Sequence, residues 1–324
     1  MSNPSRDQID AILAQAVRAP SSHNTQPWIF EVDGRRIVLH ADRTRALPVN
    51  DPDDRELTIS CGCALMNLRA AAAAEGFAVV VDVLPDRGDP DLLAVATLDP
   101  DSEPQEDDAH LAAAIAARRT YRKAFADTPV SQDTISALAS EAKREGAWFE
   151  AIEGGVVRAH VADLIAEGDA MQWANPSWRR ELAAWMHPRR KGDGLTLPWL
   201  VAPVAQLIVR SFDMGNGVAA KDSDLSEASP LLALIGTDDD TEGAWLKAGQ
   251  ALERILLAAC GMGLQASYLN QPIQMPVLRP KLQGLARCHG MPQILFRMGT
   301  PADDIPAAPR RALSDVTEVP AAPR

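Results

Sequence analysis

The chain of 324 residues is poor in cysteine and in aromatic residues, and both shortages exclude common kinds of site. It has four cysteines, six histidines and 5% aromatic residues. The cysteines form no CxxC pair and the histidines form no HExxH motif, so the spacings of a zinc site are missing. We therefore expect small buried thiols. They are Cys61, Cys63, Cys260 and Cys288.

Positive charge is also scarce, because 32 Lys and Arg residues stand against 44 Asp and Glu residues, with a formal net charge of −12 and a pI near 5.0. This balance argues against nucleic acid or an anionic membrane as a partner. The longest uncharged apolar stretch, residues 195–209, is too short to span a bilayer and is broken by two prolines. The polar N-terminus carries no leader pattern, so we expect a cytoplasmic protein.

Several catalytic motifs are missing from the sequence. It has no GxSxG nucleophile motif, no Walker A motif and no GxGxxG after a strand pattern. Because no strong nucleophile or metal cluster stands out, the sequence favours an organic cofactor as the carrier of the chemistry.

What is present is a regular mixture of helix and strand patterns, which predicts an α+β fold. Apolar periodicity predicts helices over 5–19, 55–75, 107–117, 131–145, 155–186, 242–262 and 276–282. Strand patterns cover 28–40 as a hairpin, then 77–84, 92–98, 147–152, 231–236, 264–268 and 293–298. The stretch 99–108 is typical of a linker, and 187–229 has little periodicity.

Two of the long predicted helices, 55–75 and 242–262, repeat the same pattern, with every position offset by 187 residues. Gly62-x-Ala-Leu-x-x-Leu-x-x-Ala-Ala-x-x-x-Gly76 matches the run from Gly249 to Gly263, with Ile in place of the second Leu. This indicates an internal duplication, so that two similar halves form a single-chain pseudo-dimer. We assign 1–104 to the first half and 105–324 to the second, with a lid-like insertion at about 187–229.

Two polar stretches are candidates for a binding site. Residues 19–28 read Ala-Pro-Ser-Ser-His-Asn-Thr-Gln-Pro-Trp, a stiff loop with many donors and acceptors, suited to a flat ligand with polar edges. The alternative is a well-capped connection. Residues 118–122 read Arg-Arg-Thr-Tyr-Arg, and guanidinium groups bind phosphate. The alternatives there are a solvated face and, for the later pair Arg310 and Arg311, a solvated tail.

These two stretches carry a family resemblance. The first resembles the signature of the flavin-dependent nitroreductase family, and the second resembles its RRSxR phosphate-binding element, with Thr120 in the serine position. The stretch from Asp42 to Gly62 is most similar to the mycobacterial Acg-type branch. The resemblance covers nearly the whole chain and is weakest across 155–229.

The resemblance implies an FMN site at the interface of the two halves. It implies that the cofactor-binding residues are Pro20, Ser21, Ser22, Asn24, Gln26, Arg118, Arg119, Thr120, Arg122, Tyr268, Leu269, Asn270, Arg310 and Arg311. The arginines and Thr120 would hold the phosphate, and backbone at 268–270 would donate to flavin N5. Each motif occurs in only one half, which implies one complete FMN site per chain. The resemblance also implies that no side chain is obligatory as an acid or base, because the cofactor carries the chemistry.

The implied function is an NAD(P)H oxidoreductase that passes electrons through FMN to a nitroaromatic, a quinone or a similar acceptor. A second hypothesis is storage or sequestration of FMN under a lid formed by 187–229, with Trp199, Met214 and a hinge at Gly215-Asn216-Gly217. A third is a degenerate protein that binds nothing. Because the family's dimer interface would be internal, we expect a monomer.

Overall fold

A computed structural model of the chain describes residues 3–187, 192–197, 201–215, 217, 222, 226 and 229–318. The fold is a mixture of helix and sheet, as expected for an α+β protein. The first half contains α1 (Arg6–Ala16), β1 (Trp28–Asp33), β2 (Arg36–Ala41), α2 (Arg55–Ala74), β3 (Ala78–Val83) and β4 (Leu92–Asp99).

The second half begins with α3, which lies beside α2. Its described elements are α3 (Glu106–Ile115), α4 (Gln132–Arg144), β5 (Trp148–Ala151), α5 (Gly155–Ala174), α6 (Pro176–Ala184), β6 (Met186–His187), β7 (Leu195–Thr196), α7 (Ala202–Ser211), β8 (Leu231–Thr237), α8 (Glu242–Gly261), β9 (Gln265–Tyr268), α9 (Gln271–Gln274), α10 (Arg279–Ala286), β10 (Met291–Gly299) and β11 (Thr317–Glu318).

The two main sheets repeat one strand order. The first has the order β11-β1-β2-β4-β3 and the second has the order β5-β8-β10-β9. If β1, β2, β3 and β4 correspond to β5, β8, β9 and β10, these four strands follow the same order in both sheets. Within each sheet, all neighbouring strands of this set pair in the antiparallel direction. The topology thus repeats as the sequence pattern does. The terminal strand β11 breaks the symmetry, because it comes from the end of the chain and pairs in parallel with β1.

The matched helices α2 and α8 pack against each other at the centre of the main core. They touch at their matched glycines: a Cβ added to Gly62 would lie 2.9 Å from the Gly249 Cα, and one added to Gly249 would lie 2.8 Å from the Gly62 Cα. Such an approach of two backbones leaves no room for a side chain. Helix α2 is apolar enough to pass as a membrane span by composition, but 89% of that stretch is buried inside the fold.

Most element boundaries fall within a few residues of the expected ones. The predicted helix 155–186 is divided, because Asn175 caps α6 by accepting from the Ser177 amide at 2.9 Å and Pro176 follows it. The predicted helix 276–282 is replaced by α9 and α10. The strands β6, β7 and β11 were not predicted; each has two residues, too short for a periodic signal. Trp199 and Asn216 lie outside the described residues.

Candidate functional site

A cavity of about 570 Å³ is lined by residues from both of the predicted halves. Its walls come from the loop after α1, the first turns of α2, the arginine segment after α3, the end of β9 and the C-terminal arm before β11. Eleven predicted site residues line it: Pro20, Ser21, Ser22, Asn24, Arg118, Arg119, Thr120, Arg122, Tyr268, Asn270 and Arg310.

Three predicted site residues do not line the cavity. Gln26 is fully buried and ties the loop to the C-terminal arm, because its Oε1 accepts from the Arg311 amide at 2.9 Å. Arg311 donates to the Gln26 carbonyl at 3.0 Å and to the Asp42 carboxylate at 3.3 Å. Leu269 packs in the second apolar core, and its amide donates to the Leu295 carbonyl at 2.9 Å.

The loop that follows α1 has an unusual backbone. Ser5 and Gln8 form a capping box at the start of α1, as the sequence predicts. After the helix, His23, Asn24 and Gln26 have φ angles of 50°, 56° and 53°. Left-handed backbone at non-glycine residues costs free energy and collects at binding sites. The loop is therefore held in its shape by its surroundings.

The arginine segment is anchored to the end of the second sheet. Thr120 forms a parallel bridge with Ala266, and the Tyr121 amide donates to the Ala266 carbonyl at 2.8 Å. Arg118 is 5% exposed, and its Nε lies 3.2 Å from the fully buried Glu253 carboxylate. This neighbour from α8 offsets the cost of burying one guanidinium.

Arg310 reaches the same end of the cavity from the C-terminal arm. Its guanidinium donates to the Arg18 carbonyl at 2.8 Å and to Asn24 Oδ1 at 3.2 Å. Burial, and then the positive charge of Arg118, lower the pKa of Arg310 to about 9. An anion bound among these groups would offset the cost of burying the Arg310 charge and its repulsion from Arg118.

Several donors of this arginine cluster have no partner within the described part of the chain. Arg118 Nη1, Arg119 Nε and Arg310 Nε are buried atoms without a hydrogen bond. Arg122 lines the cavity and remains accessible there, and withdrawal from water lowers its pKa. Four arginines therefore line the cavity, three of them close enough to interact by charge, with Glu253 as the carboxylate paired to Arg118.

Glu56 forms the acidic counterpart in the cavity wall, and the sequence analysis did not select it. It is 3% exposed and accepts hydrogen bonds from Ser22 Oγ at 2.6 Å, Gln274 Nε2 at 2.9 Å and Asn270 Nδ2 at 3.2 Å. It therefore joins the loop of the first half to the second half. The place of this carboxylate among its donors could only be recognised after folding, because Ser22 and the 270–274 stretch are far from Glu56 in the sequence.

Two ionisable groups near Glu56 have shifted pKa values. Burial and the charge of Glu56 raise the pKa of Asp51 to about 7. Burial lowers the pKa of His23 to about 4, with Glu56 opposing and Arg122 assisting the shift. His23 is therefore a neutral imidazole near pH 7.

The described part of the proposed lid covers the loop side of the cavity. We call residues 186–197 the strap, of which 188–191 lie outside the described residues. Gly194 and Leu195 line the cavity, and the Gly194 amide donates to the Asn24 carbonyl at 3.2 Å. The buried Asp193 pairs with Arg45 and lies 3.2 Å from His187 Nε2.

Comparison with known proteins identifies the relatives of this fold. No protein-family model matches the chain. Two proteins of Mycobacterium tuberculosis (strain ATCC 25618 / H37Rv) carry the name "Putative NAD(P)H nitroreductase". One is 34% identical over 98% of this chain and 93% of its own length. The other, acg, is 28% identical over 97% of this chain and 96% of its own length.

Among solved structures, the FMN-dependent nitroreductase NfnB from Mycobacterium smegmatis in complex with NADPH is 18% identical. The match covers 64% of this chain and 97% of that chain, with a TM-score of 0.43. The full-length similarity to the mycobacterial proteins is the stronger finding. On that similarity, the chain belongs to the nitroreductase family and is related to acg within it.

Proposed function

We propose that the chain binds FMN in the cavity and works as an NAD(P)H-dependent oxidoreductase. The observation that carries the proposal is the arginine cluster. Arg118, Arg119, Arg122 and Arg310 line one cavity, which the proline-containing loop also lines, and the positive charges of Arg118 and Arg119 act on Arg310. A phosphate group is the ligand that such a set of guanidinium donors suits best.

The residues present fit a flavin phosphate in both number and chemistry. Four buried guanidinium nitrogens of the cluster lack a hydrogen bond among the described residues, one of them Arg118 Nε beside Glu253, and a phosphate offers acceptor oxygens to the other three. The lowered pKa of Arg310 reflects burial and crowding of positive charge, which a dianion would relieve. Thr120 lines the same region and supplies a hydroxyl donor.

The other groups in the cavity would contact the ring system of the flavin. Ser21, Ser22 and Asn24 lie on the first-half side, and Tyr268 and Asn270 lie on the second-half side. The Leu269 amide already donates to the Leu295 carbonyl, so a contact from that residue would need another backbone group. When bound, FMN supplies two-electron chemistry, taking hydride from NAD(P)H and passing electrons to an acceptor.

We further propose a nitroaromatic, quinone or similar molecule as the acceptor. The cavity mixes an arginine end with the buried carboxylate of Glu56 and with the amides of Asn50, Gln172 and Gln274. The cavity wall also includes Trp178, whose Nε1 donates to Asn50 Oδ1 at 2.9 Å. A flat molecule with oxygen acceptors can stack on such a ring and accept from the amides.

The two halves support one flavin per chain. In the second half, the sequence has 141–148 where the proline-containing loop would fall. Glu145 in this stretch pairs with Arg69 at 2.6 Å and with Arg254 at 3.1 Å. Arg254 also pairs with Asp108 and Glu141. We propose that this network of ion pairs takes the place of a second flavin site.

Storage of FMN under a lid is the alternative, and the strap is the observation that favours it. Gln26 Nε2 donates to the Gly192 carbonyl at 2.8 Å, and Arg45 pairs with Asp193. A strap tied down on both sides would slow the access of acceptors to a bound flavin.

The test is anaerobic reduction of the purified, flavin-loaded protein. NADPH or NADH is expected to bleach the flavin absorbance, and a quinone or nitroaromatic is expected to restore it. If dithionite bleaches the flavin and neither nicotinamide does, the oxidoreductase proposal fails. A colourless protein that takes up no added FMN would exclude both functions.

Asp193→Asn separates turnover from storage. The variant loses the charge that holds Arg45 and so loosens the strap. If storage is the function, reoxidation of the reduced flavin by a quinone should be slow in the wild type and faster in the variant. Equal fast rates in both proteins would favour turnover. Glu75→Gln, an exposed change beyond α2, is the matched control.

A further inference from the structure

Arg297 is a buried cation outside the cavity, and the proposed site does not account for it. It lies on β10 between Leu232 of β8 and Ser267 of β9, and only 1% of it is exposed. Its Nε and Nη1 have no hydrogen-bond partner among the described residues. Burial lowers its pKa, with Asp222 opposing the shift. Because a buried charge costs free energy, its presence calls for a reason.

The remaining nitrogen of Arg297 holds the backbone of the arginine segment. Nη2 donates to the Lys123 carbonyl at 3.0 Å and lies 3.4 Å from the Tyr121 carbonyl as a second acceptor. The guanidinium carbon stands 4.7 Å from the ring centroid of Phe125, which stacks on Tyr121. Arg297 therefore binds the chain on both sides of residue 122.

Arg122 depends on this backbone for its direction. Its side chain lines the cavity and is accessible. No hydrogen bond within the described residues holds its guanidinium, and the groups that raise its pKa, Tyr268 and Asp222, act by charge alone. The direction of the Arg122 side chain therefore depends on the backbone of 121–123, which Arg297 holds at the Tyr121 carbonyl before Arg122 and at the Lys123 carbonyl after it.

We propose that Arg297 is a positioning residue for the flavin phosphate, because it binds the carbonyls of Tyr121 and Lys123, holds the backbone of 121–123, and so aims the Arg122 guanidinium into the cavity. This inference rests on the proposed function. It predicts a specific effect: replacing Arg297 should weaken recognition of the phosphate and leave the contacts to the flavin ring unchanged.

The experiment compares FMN with riboflavin, which has the same ring and no phosphate. Dissociation constants are measured by titrating the flavin-free full chain and following flavin fluorescence. For Arg297→Met we expect a loss of about tenfold or more in FMN affinity, equal to about 1.4 kcal/mol, with riboflavin affinity changed less than about twofold. Arg297→Lys keeps the charge without the planar fork and should fall between the two proteins.

Arg279→Met is the matched control. Arg279 also donates to a carbonyl, that of Pro292 at 2.9 Å, and pairs with Asp240 at 2.6 Å, but it does not line the cavity. This variant should leave the ratio of FMN to riboflavin affinity unchanged. A fall in that ratio as large as that of Arg297→Met would overturn the inference, because any lost arginine clamp would then have the same effect.

A double-mutant cycle with Arg122→Ala gives the second measurement. If Arg297 acts through Arg122, the change Arg297→Met should have little further effect on FMN affinity once Arg122 is removed. A full additional loss, or equal weakening of FMN and riboflavin, overturns the inference. If Arg297→Met does not fold, Arg297→Lys is used in its place, and it should likewise lower the affinity for FMN more than the affinity for riboflavin. A wild-type protein that does not prefer FMN over riboflavin contradicts the proposed phosphate site itself.

Discussion

The arginines that line this cavity differ in burial and in pairing. Arg118 is buried beside Glu253, whereas Arg122 is accessible and makes no hydrogen bond within the described residues. Removing each should therefore have a different consequence. Loss of Arg118 leaves a buried carboxylate without its nearest positive charge, and loss of Arg122 leaves no group unpaired.

We predict that Arg122→Ala weakens FMN binding by about tenfold to a hundredfold with almost no change in the free energy of unfolding, since a charge-assisted hydrogen bond is worth about 1.5–3 kcal/mol. Arg118→Ala should also lower stability, by about 3–5 kcal/mol. Flavin titration and urea denaturation of both variants test this. Equal stability of the two variants would contradict the assignment.

Asp169 on α5 gives the protein a pH dependence. Burial, and then the charge of Asp222, raise the pKa of Asp169 to about 7, although a hydrogen bond from Gln271 opposes the shift. A carboxyl in the unfolded chain titrates near 3.9. Between these values the folded state keeps a proton that the unfolded state has lost, so this stabilisation is complete below about pH 4 and disappears as the pH rises through about 7.

Asn resembles the protonated form of Asp169 and does not titrate. We therefore predict that Asp169→Asn gains stability relative to the wild type as the pH rises from about 5 to about 8. Urea denaturation at several pH values measures the difference in the free energy of unfolding. A difference that does not vary with pH would show that Asp169 is already ionised in the folded protein at pH 5.

At the scale of elements, the crossing of α2 and α8 determines how closely the halves approach. The Cβ of an alanine at residue 62 would lie 2.9 Å from the Gly249 Cα, closer than side chains pack. We predict that Gly62→Ala lowers the free energy of unfolding by about 1–3 kcal/mol, because the two backbones must separate. Urea denaturation gives the value.

Gly284→Ala is the control for that change. Gly284 lies within α10, and a Cβ there would meet no atom within 4 Å. Because alanine favours helix over glycine, this variant should gain up to about 1 kcal/mol. A loss of stability like that of Gly62→Ala would mean that replacing a helical glycine by alanine destabilises this protein even where no helix crosses, and the crossing would then not account for the effect at Gly62.

At the scale of the whole molecule, we propose that the repeat forms two similar halves with a single flavin site between them. We predict one FMN per chain and a monomer of 34.8 kDa. The flavin released on denaturation, measured by absorbance against protein concentration, gives the ratio, and light scattering gives the mass. Two flavins per chain would contradict the proposed role of the Arg69 and Arg254 network.

The sequence alone was sufficient for the local features and for the family. The helix of α1 with its cap, the hairpin of β1 and β2, and the matched glycines of α2 and α8 all follow from periodicity and from residues with special backbone preferences. The resemblance of the two polar stretches to the nitroreductase family is confirmed by the full-length relatives.

Only the tertiary structure determined which residues face the cavity. Gln26 and Leu269 belong to the predicted set but are used in packing and backbone bonding, whereas Glu56 and Arg297 had no signal in the sequence. The physical reason is that a buried polar group is defined by its partners, and these come from distant parts of the chain. Periodicity records which face of an element is buried, but it does not record what that face will meet.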